Sequence, residues 1–426
     1  MRAILSVSTL LLGVAIILMG NGLLGTLLGV RGQFEGLSAS SLGLIMSAYF
    51  AGFVVGTALV PRLVRAVGHV RVFAALASIA SVSTLLHGLY IQPAVWLLLR
   101  LLTGVCVVGL YIVIESWLNE QTDNAERGSV FSAYMTTTLI GLGLGQLMLI
   151  VGDETRLELF ALASVLLSLG LVPVAMTEVR EPAIVPAAER LGLRRLYAIS
   201  PLGVMACVFA GLGAGAFWGL GPVFASALGF DSRGVAAFMG TTILGGVAML
   251  WPVGVLSDRR PRRTVLAWTC AMASIGATLA AAMTTLGAKW VMLGGFAYGS
   301  FAFSMYSLAA AYTNDHLERS HVLEVTSSLQ LLWALGAIIG PIVGGQLMQR
   351  FGPASLMLFI AVTALVPAVF ARYRMTVGQP VAVEDQSDYV PQFATSPAVL
   401  EMHPDADEGT RDAADTESDE ALAEQR

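Results

Sequence analysis

Through residue 374 the chain alternates between long apolar runs and short stretches that hold most of its charges. Read between charges and turn residues, the runs predict helices at 6–30, 40–61, 70–90, 94–118, 128–151 and 157–176, then at 201–227, 233–256, 264–285, 289–313, 322–349 and 353–371. A membrane-spanning helix needs about 20 apolar residues, and each run reaches that length or nearly so. The first run has no charge from Ala3 to Val30. That exceeds the roughly 7 to 15 residues of a signal-peptide core, so it is read as the first span.

A charged stretch with Glu178, Arg180, Glu181, Glu189, Arg190, Arg194 and Arg195 divides the runs into two sets of six. The expected organisation is a bundle over 1–176, a linker over 177–200, a second bundle over 201–374 and a tail over 375–426. The halves also resemble each other at an offset of 195 residues: Gly104, Tyr111, Asn119, Glu120, Gly141 and Gly145 map onto Gly299, Tyr306, Asn314, Asp315, Gly336 and Gly340. The expected fold class is all-α integral membrane, with twelve transmembrane helices in two pseudo-symmetric six-helix bundles. Such bundles can rock about a site at their interface and expose it to each side in turn. Spacings such as Gly52/Gly56, Gly295/Gly299 and Gly336/Gly340 suit the close helix contacts this needs.

Composition excludes a soluble domain: 56% of residues are hydrophobic and 12% charged, against about 25% charged in soluble proteins. The net charge of −5 conceals a tail of −11 and a body of +6. Placing the N-terminus inside puts 16 basic residues on the cytoplasmic side and 5 outside, and Lys and Arg resist translocation. Both termini are therefore expected to be cytoplasmic. The tail, with Pro380, Pro391, Pro397 and Pro404 and few large apolar residues, reads as disordered. Cys106, Cys207 and Cys270 lie in apolar runs without metal-ligand spacing, so neither a disulfide framework nor a metal site is expected. No H-E-x-x-H, G-x-S-x-G or phosphate-binding G-x-x-x-x-G-K motif occurs. Neither an enzyme nor an ATP-driven pump is expected, and no cofactor or nucleic-acid partner.

Polar residues inside the spans are few. In the fourth run Arg100, Gly104, Val107, Tyr111 and Glu115 recur at steps of 3 and 4, on one helix face. Arg100 sits roughly 9 Å into its helix at 1.5 Å per residue. It faces either an anionic or carbonyl group of a solute or backbone carbonyls of a neighbouring helix, since an arginine in lipid costs at least about 2.5 kcal/mol. Glu115 is expected to pair with Arg65 or Arg71; buried and protonated it would be a site for proton coupling. Asn21, Gln146 and Gln330 either bridge helices or line a cavity. Trp96 and Trp290, at the starts of their runs, are read as interfacial anchors.

Between the eighth and ninth runs stands Gly254-Val-Leu-Ser-Asp258-Arg259-Arg260-Pro261-Arg262-Arg263. It resembles the G-x-L-x-D-R-x-G-R-R loop of the major facilitator superfamily, with Pro261 in place of the second glycine. The loop from Pro61 to Arg71 keeps Leu63, Gly68 and Arg71 of that pattern but has Arg65 at the aspartate position. Arg100-Leu-Leu-Thr-Gly104, Glu126-Arg127-Gly128 and Gly340-Pro-Ile-Val-Gly-Gly345 also resemble family motifs. Ile114-Glu-Ser116, Gly145-Gln-Leu147 and Trp251-Pro252 are most similar to the YcaD-like branch of bacterial members.

The resemblance implies a multi-pass transporter of the bacterial inner membrane, expected to act as a monomer, moving a small organic solute, anionic if Arg100 binds it, by alternating access. A proton-coupled drug or metabolite exporter is the alternative. Proton-coupled drug exporters tend to carry G-P-x-x-G-G in the fifth span, whereas here it lies in the eleventh. A non-transporting receptor or scaffold is the reading from another class. In the family, spans 1, 4, 7 and 10 surround the cavity, which makes Asn21, Arg100, Tyr111, Trp218, Tyr298 and Tyr306 candidate substrate residues. By pseudo-symmetry Asp258 is expected to latch with Arg127 at the start of the fifth span, and Arg65 with Glu324 at the start of the eleventh. Gly254, Arg259, Arg262 and Arg263 complete the loop motif.

Overall fold

In the computed structural model residues 7–122, 127–176, 192–317, 322–377, 381–387, 389, 390, 392 and 395 are described. Residues 177–191 of the expected linker and most of the acidic tail lie outside the described residues. The first half consists of α1 (Ser8–Phe34), α2 (Ala39–Val67), α3 (His69–Leu89), α4 (Pro93–Glu120), α5 (Arg127–Leu147), α6 (Glu158–Leu169) and α7 (Leu171–Ala175). A short α8 (Leu193–Ile199) precedes α9 (Pro201–Ala227), α10 (Ser232–Arg259), α11 (Arg262–Ala282), α12 (Ala288–Ala302), α13 (Met305–Asn314), α14 (Val322–Phe351) and α15 (Ala354–Val377). A helix satisfies its own backbone hydrogen bonds, the condition for crossing lipid.

Eleven helical segments among the described residues, α6 and α7 counted together, are long and apolar enough to cross a membrane. The tenth predicted span is broken: Phe303 and Ser304 separate α12 from α13. Several helices outrun their predicted ends, α2 to Val67, α10 to Arg259 and α15 to Val377. An apolar run stops at the first charge, but a helix continues past the hydrocarbon. Local signals set the starts. Ser38 accepts the Ser41 N–H at 3.2 Å, Ser200 the Gly203 N–H at 3.3 Å and Asp231 the Gly234 N–H at 2.8 Å. Gly68, at φ +87°, lets the chain reverse between α2 and α3 where a side chain would clash. Trp96 is no interfacial anchor: it is fully buried, its indole N–H donating to the His87 carbonyl at 2.9 Å. Trp290 is partly exposed.

The internal duplication is visible contact by contact. A Cβ on Gly104 would land on the Tyr49 carbonyl oxygen, and one on Gly299 on that of Thr242. Gly52 faces Leu101 as Gly245 faces Phe296, Gly22 faces Leu142 as Gly215 faces Ala337, and Gly145 faces Met19 as Gly340 faces Leu212, in each case a carbonyl oxygen. The offset is 195 residues in the fourth and fifth spans and 193 in the first and second. Each glycine removes the side chain that would hold two helix backbones apart.

The halves are joined closely at one end. Near the face reached by the C-terminal ends of α1, α9 and α14, the Ser47 hydroxyl donates to the Ile338 carbonyl, Gly43 packs on Pro341 and Gly29 on Pro222. There, first-half residues such as Leu27, Leu42 and Met46 join one apolar cluster with the whole second half, including Phe217 and Leu220. Toward the other face, which bears Asp258 to Arg263, the first-half core forms its own cluster around Phe73, Val108 and Trp117. That face is called the basic face below.

Candidate substrate cavity

A cavity of about 190 Å³ lies between the halves, walled by α1, α2, α4 and α5 on one side and by α9, α12, α13 and α14 on the other. Arg100 is the only charged side chain among its described lining residues. It is 6% exposed, and neither its Nε nor its Nη1 meets a hydrogen-bond partner. Its guanidinium carbon stands 4.4 Å from the Tyr49 ring centroid. A cation–π contact contributes about 0.5 to 2 kcal/mol, below the roughly 2.5 to 3.5 kcal/mol that an arginine costs at a helix centre in lipid, and it leaves the N–H donors unmet. The alternative expected from the sequence, bonds to backbone carbonyls, is not made at these two nitrogens.

Of the other candidates, Asn21, Tyr111, Trp218 and Tyr306 line this cavity with Arg100. Tyr298 does not: it is buried against Phe217, ring centroids 5.5 Å apart, beside a small separate pocket with Ala210 and Thr363. Eight residues apart, Tyr298 and Tyr306 would share a face of an unbroken helix, and the break at Phe303–Ser304 ends that register. Gln146 has both roles foreseen for it. It lines the cavity and bridges α5 to α1, accepting from the Thr26 hydroxyl and donating to the Gly22 carbonyl at 3.3 Å. Gln330 lies at a smaller pocket between α2 and α14, its amide atoms without partners.

Sequence reasoning missed Tyr49, Phe50 and Phe53 of α2 and Phe303 at the helix break. Phe303 stacks on Trp218 at 5.7 Å with an 11° interplanar angle, and Trp333 meets Phe50 at 6.2 Å. Aromatic rings from both halves thus line the cavity that holds one cation. The period of Tyr49, Phe50 and Phe53 along α2 was the signal available, but apolar residues on a membrane helix give no sign of which face meets lipid.

Glu115 is fully buried and accepts the Tyr134 hydroxyl at 2.6 Å, while Arg65 and Arg71, its expected partners, are exposed. Glu324, near the start of α14, is half-buried. The side chain of Arg127 lies outside the described residues.

In the loop motif, Arg262 is 1% exposed and binds Asp315, the Ser257 hydroxyl at 3.1 Å and the Ala311 carbonyl at 3.3 Å. Asp258 stands 3.5 Å from Arg262, Arg263 donates to the Arg374 carbonyl at 3.1 Å, and Arg259 is exposed. Burial pushes the Asp315 carboxyl above its usual range, against the pull of Arg262 and Ser387.

Of the tail, read from its composition as disordered, the described residues between 381 and 395 pack against the body. Tyr389 is 9% exposed, and Gln392 and Thr395 line the same cavity as Arg100. A short segment beside a preformed cleft borrows apolar and polar contacts that its own composition lacks.

Two equivalent sets of spans around a central cavity, closed at one end by glycine contacts, define a membrane transporter. The chain belongs to the Major Facilitator Superfamily, whose family model matches residues 10–305 and, in a second match, 203–398. It is 27% identical over 360 residues to the uncharacterized MFS-type transporter YcaD of Escherichia coli O17:K52:H18, covering 83% of this chain and 92% of the relative. An uncharacterized MFS-type transporter of Enterobacter sp. (strain 638) is 25% identical over 364 residues, covering 84% and 92%. Among solved structures, the nucleoside transporter NupG superimposes with a TM-score of 0.71 at 14% identity, covering 88% of this chain and 99% of that one. An inward-facing, occupied bacterial homolog of the human lysosomal transporter Spinster gives 0.69 at 15%, covering 90% and 99%. The protein is a secondary transporter of a small solute in the YcaD branch, a multi-pass membrane protein rather than an enzyme.

Proposed function

We propose that the transported solute is a small organic anion with an apolar, ring-compatible body. The observation that carries this reading is Arg100, a buried cation with unmet N–H donors on a cavity that aromatic side chains from both halves also line. A carboxylate supplies the acceptors the guanidinium lacks, and charge-assisted bonds of this kind are about twice as strong as neutral ones. Asn21, Tyr111, Trp218 and Tyr306 would hold the body of the solute.

The basic face is cytoplasmic in this reading, by the excess of Lys and Arg there. The membrane is the bacterial inner membrane, both termini are inside, and the working unit is the monomer. The bundles 1–176 and 201–374 rock about the cavity, and the present arrangement, joined at the opposite face, opens inward. When the protein turns outward, Asp258 closes the cytoplasmic side by pairing with Arg127, favoured by the positive end of α5. Reversing either charge alone is expected to lower flux, and the double reversal Asp258→Arg with Arg127→Asp to recover it. Flux that stays low in the double variant, measured in proteoliposomes, would exclude the pair.

The solute class is tested by thermal unfolding of the purified protein with aromatic and aliphatic carboxylates, their neutral amides and lipophilic cations. A ligand at a hundred times its Kd stabilises the folded state by about 2.7 kcal/mol. Stabilisation by carboxylates and not by their amides is expected; stabilisation by the cations alone would refute the proposal.

A further inference from the structure

The mouth of the cavity on the basic face holds the chain's own C-terminal segment. Tyr389 inserts its ring beside Gly254, where a Cβ would come within 2.6 Å of the ring carbon Cδ1. Its backbone N–H donates to Asp258 at 2.8 Å, and its hydroxyl meets the Ser307 hydroxyl at 2.6 Å. Ser387 donates from its N–H and hydroxyl to Asp315 at 3.2 and 3.1 Å, while its carbonyl accepts from Arg262. Burial pushes the Tyr389 hydroxyl up to about 12, so it remains a donor at any physiological pH.

These contacts use both halves. Tyr389 belongs to the apolar cluster of the second half, and the next residue, Val390, packs on that of the first. Beyond them Gln392 and Thr395, each 4% exposed, form part of the lining of the cavity that contains Arg100. The segment therefore stands across the path from the cavity to the basic face.

We infer that the cleft between the bundles is a docking site for the C-terminal segment, held through residues 381–387, 389, 390, 392 and 395, and that docking plugs the substrate cavity. The slot is built for a ring: glycine at 254 leaves the space, and Asp258, Ser307, Asp315 and Arg262 supply the polar partners. Docking also competes with the latch. Asp258 receives the Tyr389 N–H in the docked state, and the same carboxylate is the one proposed to close the cytoplasmic side against Arg127. The docked tail holds the bundles apart at the basic face, and it must leave before the protein turns.

The test needs no solute. Ala214→Cys, in α9 on the cavity wall, is introduced into the full chain in nanodiscs and labelled with a charged maleimide; Cys106, Cys207 and Cys270 are buried. Tyr389→Ala removes the ring from the tail, and Gly254→Leu fills the slot from α10. Both are expected to raise the labelling rate at least about tenfold, while Tyr389→Phe, which keeps the ring, stays near the parent rate. Equal rates in the parent and both variants would overturn the inference. So would acceleration in Gly254→Leu alone, which marks a damaged α10 rather than a vacated slot. Because labelling uses no ligand, this outcome is independent of whether the solute is an anion.

Discussion

Arg100→Met is expected to make the protein more stable to heat while removing its stabilisation by organic anions. The two halves of this result have one cause. The guanidinium is buried with Nε and Nη1 lacking a hydrogen-bond partner in the protein, so the fold carries the cost of a buried cation with few bonds to offset it. Replacing even a buried ion pair by apolar side chains of similar volume is often neutral or stabilises by about 1 to 4 kcal/mol, and Arg100 lacks the attraction such a pair supplies. A structural arginine behaves in the opposite sense, because removing one member of a buried pair costs about 3 to 5 kcal/mol. Binding should suffer as stability improves: losing the buried charged partner of a solute costs about 2 to 5 kcal/mol, about 30-fold or more in affinity. Melting curves of parent and variant, with and without a carboxylate, give both readings. A variant that melts lower and still responds to carboxylates would place Arg100 in the scaffold.

The second large effect concerns the crossings of α2 with α4 and of α10 with α12. Gly104→Leu and Gly299→Leu are each expected to abolish the folded, monodisperse protein, and to do so alike. Each new side chain would begin on a backbone carbonyl oxygen of the crossing helix, that of Tyr49 or Thr242, and a backbone cannot swing aside as a side chain can. Overpacking a core costs about 1 to 3 kcal/mol, and more where backbones must separate, out of a total stability of about 5 to 15 kcal/mol. Gly25→Ala is the control: nothing lies within 4 Å of its added Cβ, and it borders the cavity. It should leave the elution profile on size exclusion unchanged. If Gly299→Leu elutes and melts like the parent, the close crossing is not needed at that site.

Much of the architecture was legible without coordinates. Lipid demands about 20 apolar residues per helix, so the spans are written as composition, and the duplication survives as glycines because only glycine permits these crossings. Arg100 was legible for a related reason: one charge in an apolar run has few explanations. Tyr49 and Phe303 were not, because an aromatic residue suits lipid, core and cavity equally, and only the packing of facing helices says which it meets. Tyr298 was misassigned by the same ambiguity, through a helix break that no proline or charge announces.

The sequence by itself determined where the apolar spans lie, their repetition and the charged loop, since these follow from the solvent and from local backbone chemistry, but not the helix ends or the break at Phe303–Ser304. Tertiary structure alone decided which faces form the cavity, that Arg100 has unmet donors there, and that Tyr389, some 130 residues beyond Asp258 in the chain, sits in the slot beside Gly254. Those are long-range contacts. They depend on where helices distant in sequence come to rest against one another, and local periodicity carries no record of that.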